Sequence, residues 1–486
     1  MGNRCATGTE ALWVRSLILA GGGLLSLGCS GAEDTGSQPD WWLAFGPGED
    51  LPESEADASR FLHQGTFGPI ESEIEGLGYA GFDAWFERQG TLPPTLQRPR
   101  LSALEAAGQS VFQNQRQEAW WNSVVWGEDQ LRQRLAFALS EILVVSDRSG
   151  ALGNQPAGVA EYYDTLTRGA LGNYRDLLED VTKSPAMGIY LSHLRNRQGD
   201  PANNIRPDEN YARELMQLFT IGLIELNLDG TPRLNGDGEE IPTYSQTDIE
   251  ELSRVMTGWT YAGSANFTWG APSMLEPMEA WPEFHDDGAK TILGGHLLPA
   301  GLTPEEDLDA ALDVLFGHTN VGPFLSLRLI QRLVTSNPSA AYVQRVASVF
   351  EDDGTGERGD LFEVARAILM DDEARNGHLA APATFGKLRE PLIRMVGIWR
   401  LFDARADTGV IRYWNAQNDF GQAALRSPSV FNFFYPDFVP PGPVATAGLV
   451  APEFQITTHT VITTSANEYR QRLYTCLLYT SPSPRD

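Results

Sequence analysis

Between residues 129 and 145 the apolar positions recur at helical spacing. Leu131, Leu135, Ala138, Leu139 and Ile142 fall on one face, and Asp129 stands where the cap of a first turn belongs. The spacing predicts a helix over 129–145 whose Arg132, Arg134 and Glu141 need not all face solvent. The same period predicts helices over 161–168 and 174–182, the second capped by Asn173, after which Ser184-Pro185 ends one helix or starts the next. Over 208–223, Tyr211, Leu215, Leu218 and Phe219 can pack inward, with Gly222 loosening the end. Helical patterns resume at 304–316, 321–334, 340–350, 360–370 and 386–402. Thr335-Ser336-Asn337-Pro338 interrupts them, with Pro338 suited to the first turn of the next helix.

Nearer the N-terminus, FLHQGTFGP at 61–69 breaks a helical alternation with two glycines and a proline, so that a helix starting near Ser59 runs only to Gln64. Residues 101–125 are again helical, with Asn114-Gln115-Arg116-Gln117 expected as an exposed polar stretch. Residues 226–300 differ: rich in Asp, Asn, Gly and Pro, with a helix predicted from Gln246 to Trp259, they read as loops and short strands inserted into a helical frame. SPSVFNFFYPDFVPPGP, from Ser427, places aromatics between prolines and reads as an irregular strap over the helices. The expected fold is therefore mainly α: one large multi-helix globular body over 51–472, with a loop and short-strand insertion at about 226–300.

The start of the chain carries an address. Arg4 and Arg15 precede an apolar run from Ser16 to Gly28, too short for a spanning helix, and the arrangement matches a signal peptide over 1–28. Leu25-Ser26-Leu27-Gly28-Cys29 resembles a bacterial lipobox, departing from it at Ser26 and Leu27, and makes Cys29 the candidate lipidated residue. Residues 29–50 then serve as a flexible tether. The expected localisation is export to the cell envelope, facing the periplasm or cell surface, with the membrane reached only through that lipid anchor.

A formal charge of -28, from 36 basic and 64 acidic side chains, argues against nucleic acid as a partner and is compatible with a divalent cation as cofactor. The three cysteines are Cys5, Cys29 and Cys476. Between them the body contains no thiol for a disulfide, a thiolate metal site or a cysteine nucleophile.

No zinc-protease, phosphate-loop, serine-elbow or dinucleotide signature is present. The first candidate site is the acidic helix start Asp208-Glu209-Asn210, with Arg213 and Glu214 one turn on. Its carboxylates could hold a hard cation or exchange protons, or they could simply cap the helix and pair with Arg213. The second is His285-Asp286-Asp287, where an imidazole lies beside two carboxylates, with His296 close in sequence. Asn227, Asp229, Asn235, Asp237 and Glu239 suggest calcium ligands, but the spacing fails the EF-hand pattern and a surface turn is the simpler reading.

Ten segments resemble the bacterial family called domain of unknown function 1800. Among them are FLHQGTFGP at 61–69, LRQRLAFALSEILVVS at 131–146, PDENYARELMQLFTIGLIELNLDGT at 207–231, FGKLREPLIRM at 385–395, SPSVFNFFYP at 427–436 and APEFQI at 451–456. Gly65 stands where alanine is more usual. The resemblance implies an exported bacterial protein, often encoded near sulfatase-like proteins, and carries over no catalytic residue. CLLYTSPSPRD at 476–486 resembles a translated sequencing adapter, and 473–486 is expected to be artefactual. Two functions are open. One is binding or structural work toward a surface polysaccharide or another exported protein. The other is cation-assisted hydrolysis, with Glu209, Glu214 and His285 catalytic and Asp208 and Asp286 as metal ligands.

Overall fold

The segment with the strongest helical period forms the centre of the fold. The computed structural model describes residues 40–474. In it, Gln130–Ser140 is a helix in which every residue except Arg132 is buried. A helix enclosed on all sides needs neighbours on all sides. In chain order this one is α5, after α1 (Glu55–Gly65), α2 (Glu71–Thr91), α3 (Arg98–Ala106) and α4 (Gln113–Trp126). It packs against α1, α2 and α4, and against the later α6 (Pro156–Gly169) and α12 (Val321–Leu333). The chain from Trp42 onward forms one compact unit. The candidate signal peptide, Cys29, the tether up to residue 39 and residues 475–486 lie outside the described residues.

Several boundaries differ from the pattern in the sequence, each for a local reason. The helix α5 stops at Ser140 rather than 145, and just past Val145 the chain is tied to the start of the strap and to the residues before it. There Ser146 Oγ donates to Ser427 O (2.7 Å), and Asp147 N donates to Leu425 O (2.9 Å). Asp129 occupies the N-cap position without capping; its Oδ2 accepts from Thr95 N (2.9 Å) and Gln133 Nε2 (3.0 Å) instead. The cap of α1 is Ser54 rather than a residue near Ser59, its hydroxyl accepting from Asp57 N (3.2 Å). Space at Gly65 is limited, since a Cβ there would lie 2.9 Å from Leu369 Cδ1. Arg116 is fully buried rather than exposed, paired with Asp147 at 2.8 Å.

Asn173 caps α7 (Tyr174–Lys183) through Arg175 N (2.9 Å), and Ser184 both ends α7 and precedes α8 (Pro185–Tyr190). The stretch expected as one long helix from 208 is instead α9 (Asn210–Glu214), followed by a π-helical turn, Leu215–Thr220. Ile221 N donates five residues back to Met216 O (3.0 Å), and Thr220 Oγ1 donates to Leu215 O (2.6 Å). The widened turn buries Tyr211, Leu215 and Phe219 as expected but leaves Leu218 only partly buried.

The inserted region begins with a three-segment ribbon over 223–243, held by backbone bonds such as Glu225 N to Ile241 O (2.8 Å) and Arg233 N to Glu225 O (2.7 Å). After α10 (Gln246–Val255), four short strands follow. β1 (Trp259–Thr260) pairs antiparallel with β2 (Glu279–Ala280), and β3 (Lys290–Ile292) with β4 (His296–Leu298). Ser245 and Asp248 close a reciprocal cap on α10, and Thr303 and Glu306 do so on α11 (Pro304–Phe316).

The remaining frame comprises α12, α13 (Ala340–Glu351), α14 (Leu361–Met370), α15 (Asp372–Ala380), α16 (Pro391–Leu401), α17 (Ala416–Phe420) and α18 (His459–Tyr474). The cap of α13 is Ser339, so Pro338 lies before the helix and not in its first turn. Residues 427–442 carry no helix or strand, and bury Phe433 and Phe434 against Ile456. No helix among the described residues is long and apolar enough to cross a membrane.

Candidate functional site

Where α5 ends, its next residue turns a carboxyl group into a buried network of charges. Glu141 Oε1 accepts from Gln422 Nε2 at 2.9 Å, and the same amide nitrogen also donates to Glu390 Oε2. Glu390 precedes α16, where Pro391 at the first helical position requires no hydrogen-bond acceptor for its nitrogen. Glu141 Oε2 lies 3.4 Å from Arg332 Nη1 without hydrogen-bond geometry. Arg332 is the penultimate residue of α12, and its carbonyl accepts from Arg134 Nη2 (2.5 Å) and Lys387 Nζ (2.7 Å). Cations at a helix C-terminus satisfy carbonyls that the helix itself cannot. Lys387 also pairs with Glu453 at 3.0 Å.

The two linked glutamates titrate in opposite directions. Burial pushes Glu141 up to about 8, with Arg332 opposing and Glu390 adding to the rise. Burial acts on Glu390 in the same sense, but Lys387, Arg332, Arg134 and the Gln422 hydrogen bond together hold it below the usual carboxylate range. At neutral pH the pair is one acid and one carboxylate, an arrangement able to donate and accept hydrogen bonds side by side.

Over this network lies a pocket of about 450 Å³. Glu141 and Ile142 line it from the end of α5, and Phe324, Leu327, Arg328 and Arg332 line it from α12. The π-helical turn supplies Gln217 and Leu218, and the ribbon supplies Leu223, Ile224 and Leu226. The strap closes one side with Val430, Phe431, Tyr435, Pro436 and Asp437. Gly222 belongs to the wall as well: its φ is +71°, and a Cβ there would come within 3.0 Å of the Phe324 ring. The Arg328 guanidinium lies over Phe324 (5.2 Å) and that of Arg332 over Phe434 (4.5 Å), which holds both in position.

The candidate residues named from the sequence fall elsewhere. Asp208 is exposed, and its Oδ1 accepts from Asn210 N at 2.9 Å. Glu209 accepts from Arg213 (3.1 Å) and from Gln246 Nε2 (2.9 Å), at the start of α10. Asp286 is gripped by Arg254 through two bonds of 2.9 Å, near the other end of α10. Gln246 and Arg254 are eight positions apart along the helix, a span of about 12 Å.

Glu214 is buried, and its Oε2 has no hydrogen-bond partner; burial raises its pKa, with Arg213 opposing. His285 is also buried, its Nδ1 3.0 Å from Thr257 O and its Nε2 3.0 Å from Asp307, which also pairs with Lys290. Among the described residues no group of three His, Cys, Asp or Glu is arranged to hold a metal ion. Asp229 accepts from Thr231 N (3.0 Å) and Asn235 from Asp237 N (2.9 Å), so both serve turns of the ribbon.

Sequence reasoning missed the network because its members run from Arg134 to Glu453. The available signal was charge within apolar helical runs, at Arg134, Glu141 and Arg332. Neither a curated protein nor a solved structure matches the chain. The profile described as "Protein of unknown function (DUF1800)" matches residues 60–486. That span contains every residue of the pocket and of the network beneath it, and the chain belongs to the DUF1800 family.

Proposed function

We propose that the protein is a binding protein of the bacterial cell envelope and that the pocket between α12, the π-helical turn and the strap receives a surface polysaccharide. The observation carrying this reading is the pair Phe431 and Tyr435 at the pocket edge. Their rings are 5.5 Å apart at 39°, and the residues are 39% and 47% exposed. Large aromatics left open beside a mostly apolar pocket that also carries Glu141, Arg328 and Arg332 suit a sugar ring, which stacks its apolar face and hydrogen-bonds from its edge. The lipobox-like start supports locating such a site at the cell surface or in the periplasm, with Cys29 as the anchor.

The test is titration of polysaccharide fractions from the envelope into the full chain. Binding that falls at least about ten-fold in Tyr435→Ala, with an unchanged melting temperature, supports the reading. Absence of binding to every fraction, or equal binding by Tyr435→Ala and Phe431→Ala, contradicts it. Replacing Cys29 by Ser should move the protein from the membrane fraction to the soluble one; unchanged membrane association contradicts the anchor.

A hydrolase is the second reading. In its favour is Glu141, a proton-bearing acid at the pocket floor beside the ionised Glu390. The cation-assisted version built on Glu209, Glu214 and His285, with metal at Asp208 and Asp286, has no such support: Glu209 and Asp286 are held near opposite ends of α10. Release of reducing ends that is lost in Glu141→Gln would favour hydrolysis at the pocket over binding alone.

A further inference from the structure

We infer that the pocket selects an acidic sugar, whose carboxylate or sulfate group sits between Arg328 and Arg332; this rests on the polysaccharide-binding reading above. Arg328 and Arg332 are four residues apart in α12 and therefore share one helix face, and both line the pocket. Like charges at that spacing repel, and partial burial removes the water that would screen them. Arg332 has Glu141 nearby at 3.4 Å. Among the described residues Arg328 forms no ion pair, and hydrogen-bonds only the neutral Gln331 side chain (3.2 Å). Burial first and Arg332 second pull the Arg328 pKa down to about 10, with Asp437 opposing them. An anion between the two guanidinium groups relieves the repulsion and supplies the missing counter-charge.

The floor adds to the same field. Beneath Glu141 and Arg332, Arg134 and Lys387 both donate to the Arg332 carbonyl, with Glu390 and Glu453 beside Lys387, and Arg389 interacts with Arg134 and Glu390. With Glu141 holding its proton near neutral pH, the cations here outnumber the anions, in a chain whose overall charge is -28. Arg332 Nη1 and Glu141 Oε2 face each other at 3.4 Å without hydrogen-bond geometry, so both keep unused hydrogen-bonding capacity beneath the pocket. Charge complementarity thus points to an anion, and the Phe431–Tyr435 ledge to a sugar that carries it. A poly-glutamate chain has no ring for that ledge.

The experiment titrates the full chain with polygalacturonate, dextran sulfate, neutral dextran and poly-glutamate at about 0.15 M salt, where the Debye length of about 8 Å screens the distant acidic surface. The inference expects polygalacturonate or dextran sulfate to bind at least about ten-fold tighter than dextran. The better of the two tells whether the anion is a carboxylate or a sulfate. Arg328→Gln should weaken acidic-polymer binding about 10- to 100-fold, the range for a hydrogen bond to a charged group, and leave dextran unchanged. Asp437→Asn, at an exposed rim position, should tighten acidic-polymer binding, and it decides the matter if Arg328→Gln fails to fold. Equal binding of dextran overturns the acidic selectivity but leaves polysaccharide binding standing. No binding of any polysaccharide removes both readings. Binding of poly-glutamate alone overturns the inference in favour of an acidic peptide, as does indifference to both variants.

Discussion

Glu141 and Gln422 are 281 residues apart in sequence and are joined by a hydrogen bond of 2.9 Å from the Gln422 amide to the Glu141 carboxyl group. The same nitrogen holds Glu390, so one neutral side chain keeps two glutamates adjacent in a fully buried place. Without an opposing device, two ionised carboxylates at such a separation repel strongly. Here one of them retains its proton.

That proton makes stability depend on pH in a defined window. A folded-state pKa raised from 4.5 to about 8 means that the folded chain keeps a proton which the unfolded chain releases. The contribution is complete below 4.5 and is lost as pH rises toward about 8. Asp164, raised to about 7 by burial, acts in the same sense but at lower pH. His193, lowered to about 4 from 6.5 by burial, acts in the opposite sense over that interval. Between pH 7 and 8 Glu141 titrates together with the upper part of the Asp164 transition, while His193 does not, and comparison with Glu141→Gln isolates the Glu141 share. Over that unit the natural protein should lose about 1 kcal/mol more stability than Glu141→Gln, measured by urea unfolding at each pH. Parallel curves would contradict the assignment.

Arg116 offers a test of buried charge that does not line the pocket. Arg116 and Asp147 are both fully buried side chains and pair at 2.8 Å, while Arg426 reaches the other Asp147 oxygen at 3.1 Å from a partly exposed position. Arg116→Ala leaves a buried carboxylate with only that second partner. It should destabilise the protein by about 3–5 kcal/mol, against about 1 kcal/mol or less for Arg426→Ala. Equal effects in chemical denaturation would show that Asp147 does not depend on Arg116.

The residues first singled out by sequence should separate into exposed and buried roles. Glu209 pairs with Arg213 at a half-exposed surface, and Glu209→Ala should change stability by less than about 1 kcal/mol. Asp307→Ala removes the partner of both His285 and Lys290 in a buried place, and should destabilise by about 3–5 kcal/mol. If Glu209→Ala instead abolished binding or turnover at unchanged stability, the function would move to the start of α9.

The helical frame was legible in the sequence because it depends on local pattern. The Asn173 cap, the double role of Ser184-Pro185 and the apolar face of α5 are each set within a few residues. Short strands somewhere within 226–300 followed from that segment's composition, although the helix expected to reach Trp259 ends at Val255 and Trp259 begins β1. The π-helical turn was not legible, since five-residue bonding leaves a periodicity close to that of an ordinary helix. Arg116 was misplaced because a polar run looks exposed until a distant Asp147 is known to cover it. The pocket depends on contacts between segments separated by up to some three hundred residues, which no spacing rule encodes; Glu141 with Gln422 is the plainest case.

The central claim is that binding occurs in the pocket above that pair, and hydrogen–deuterium exchange on the full chain tests it most directly. With saturating acidic polysaccharide, the account predicts added protection in backbone segments 215–226 and 430–437, with little change in 246–290. Protection confined to 246–290, or none anywhere while the polymer is bound, would contradict it.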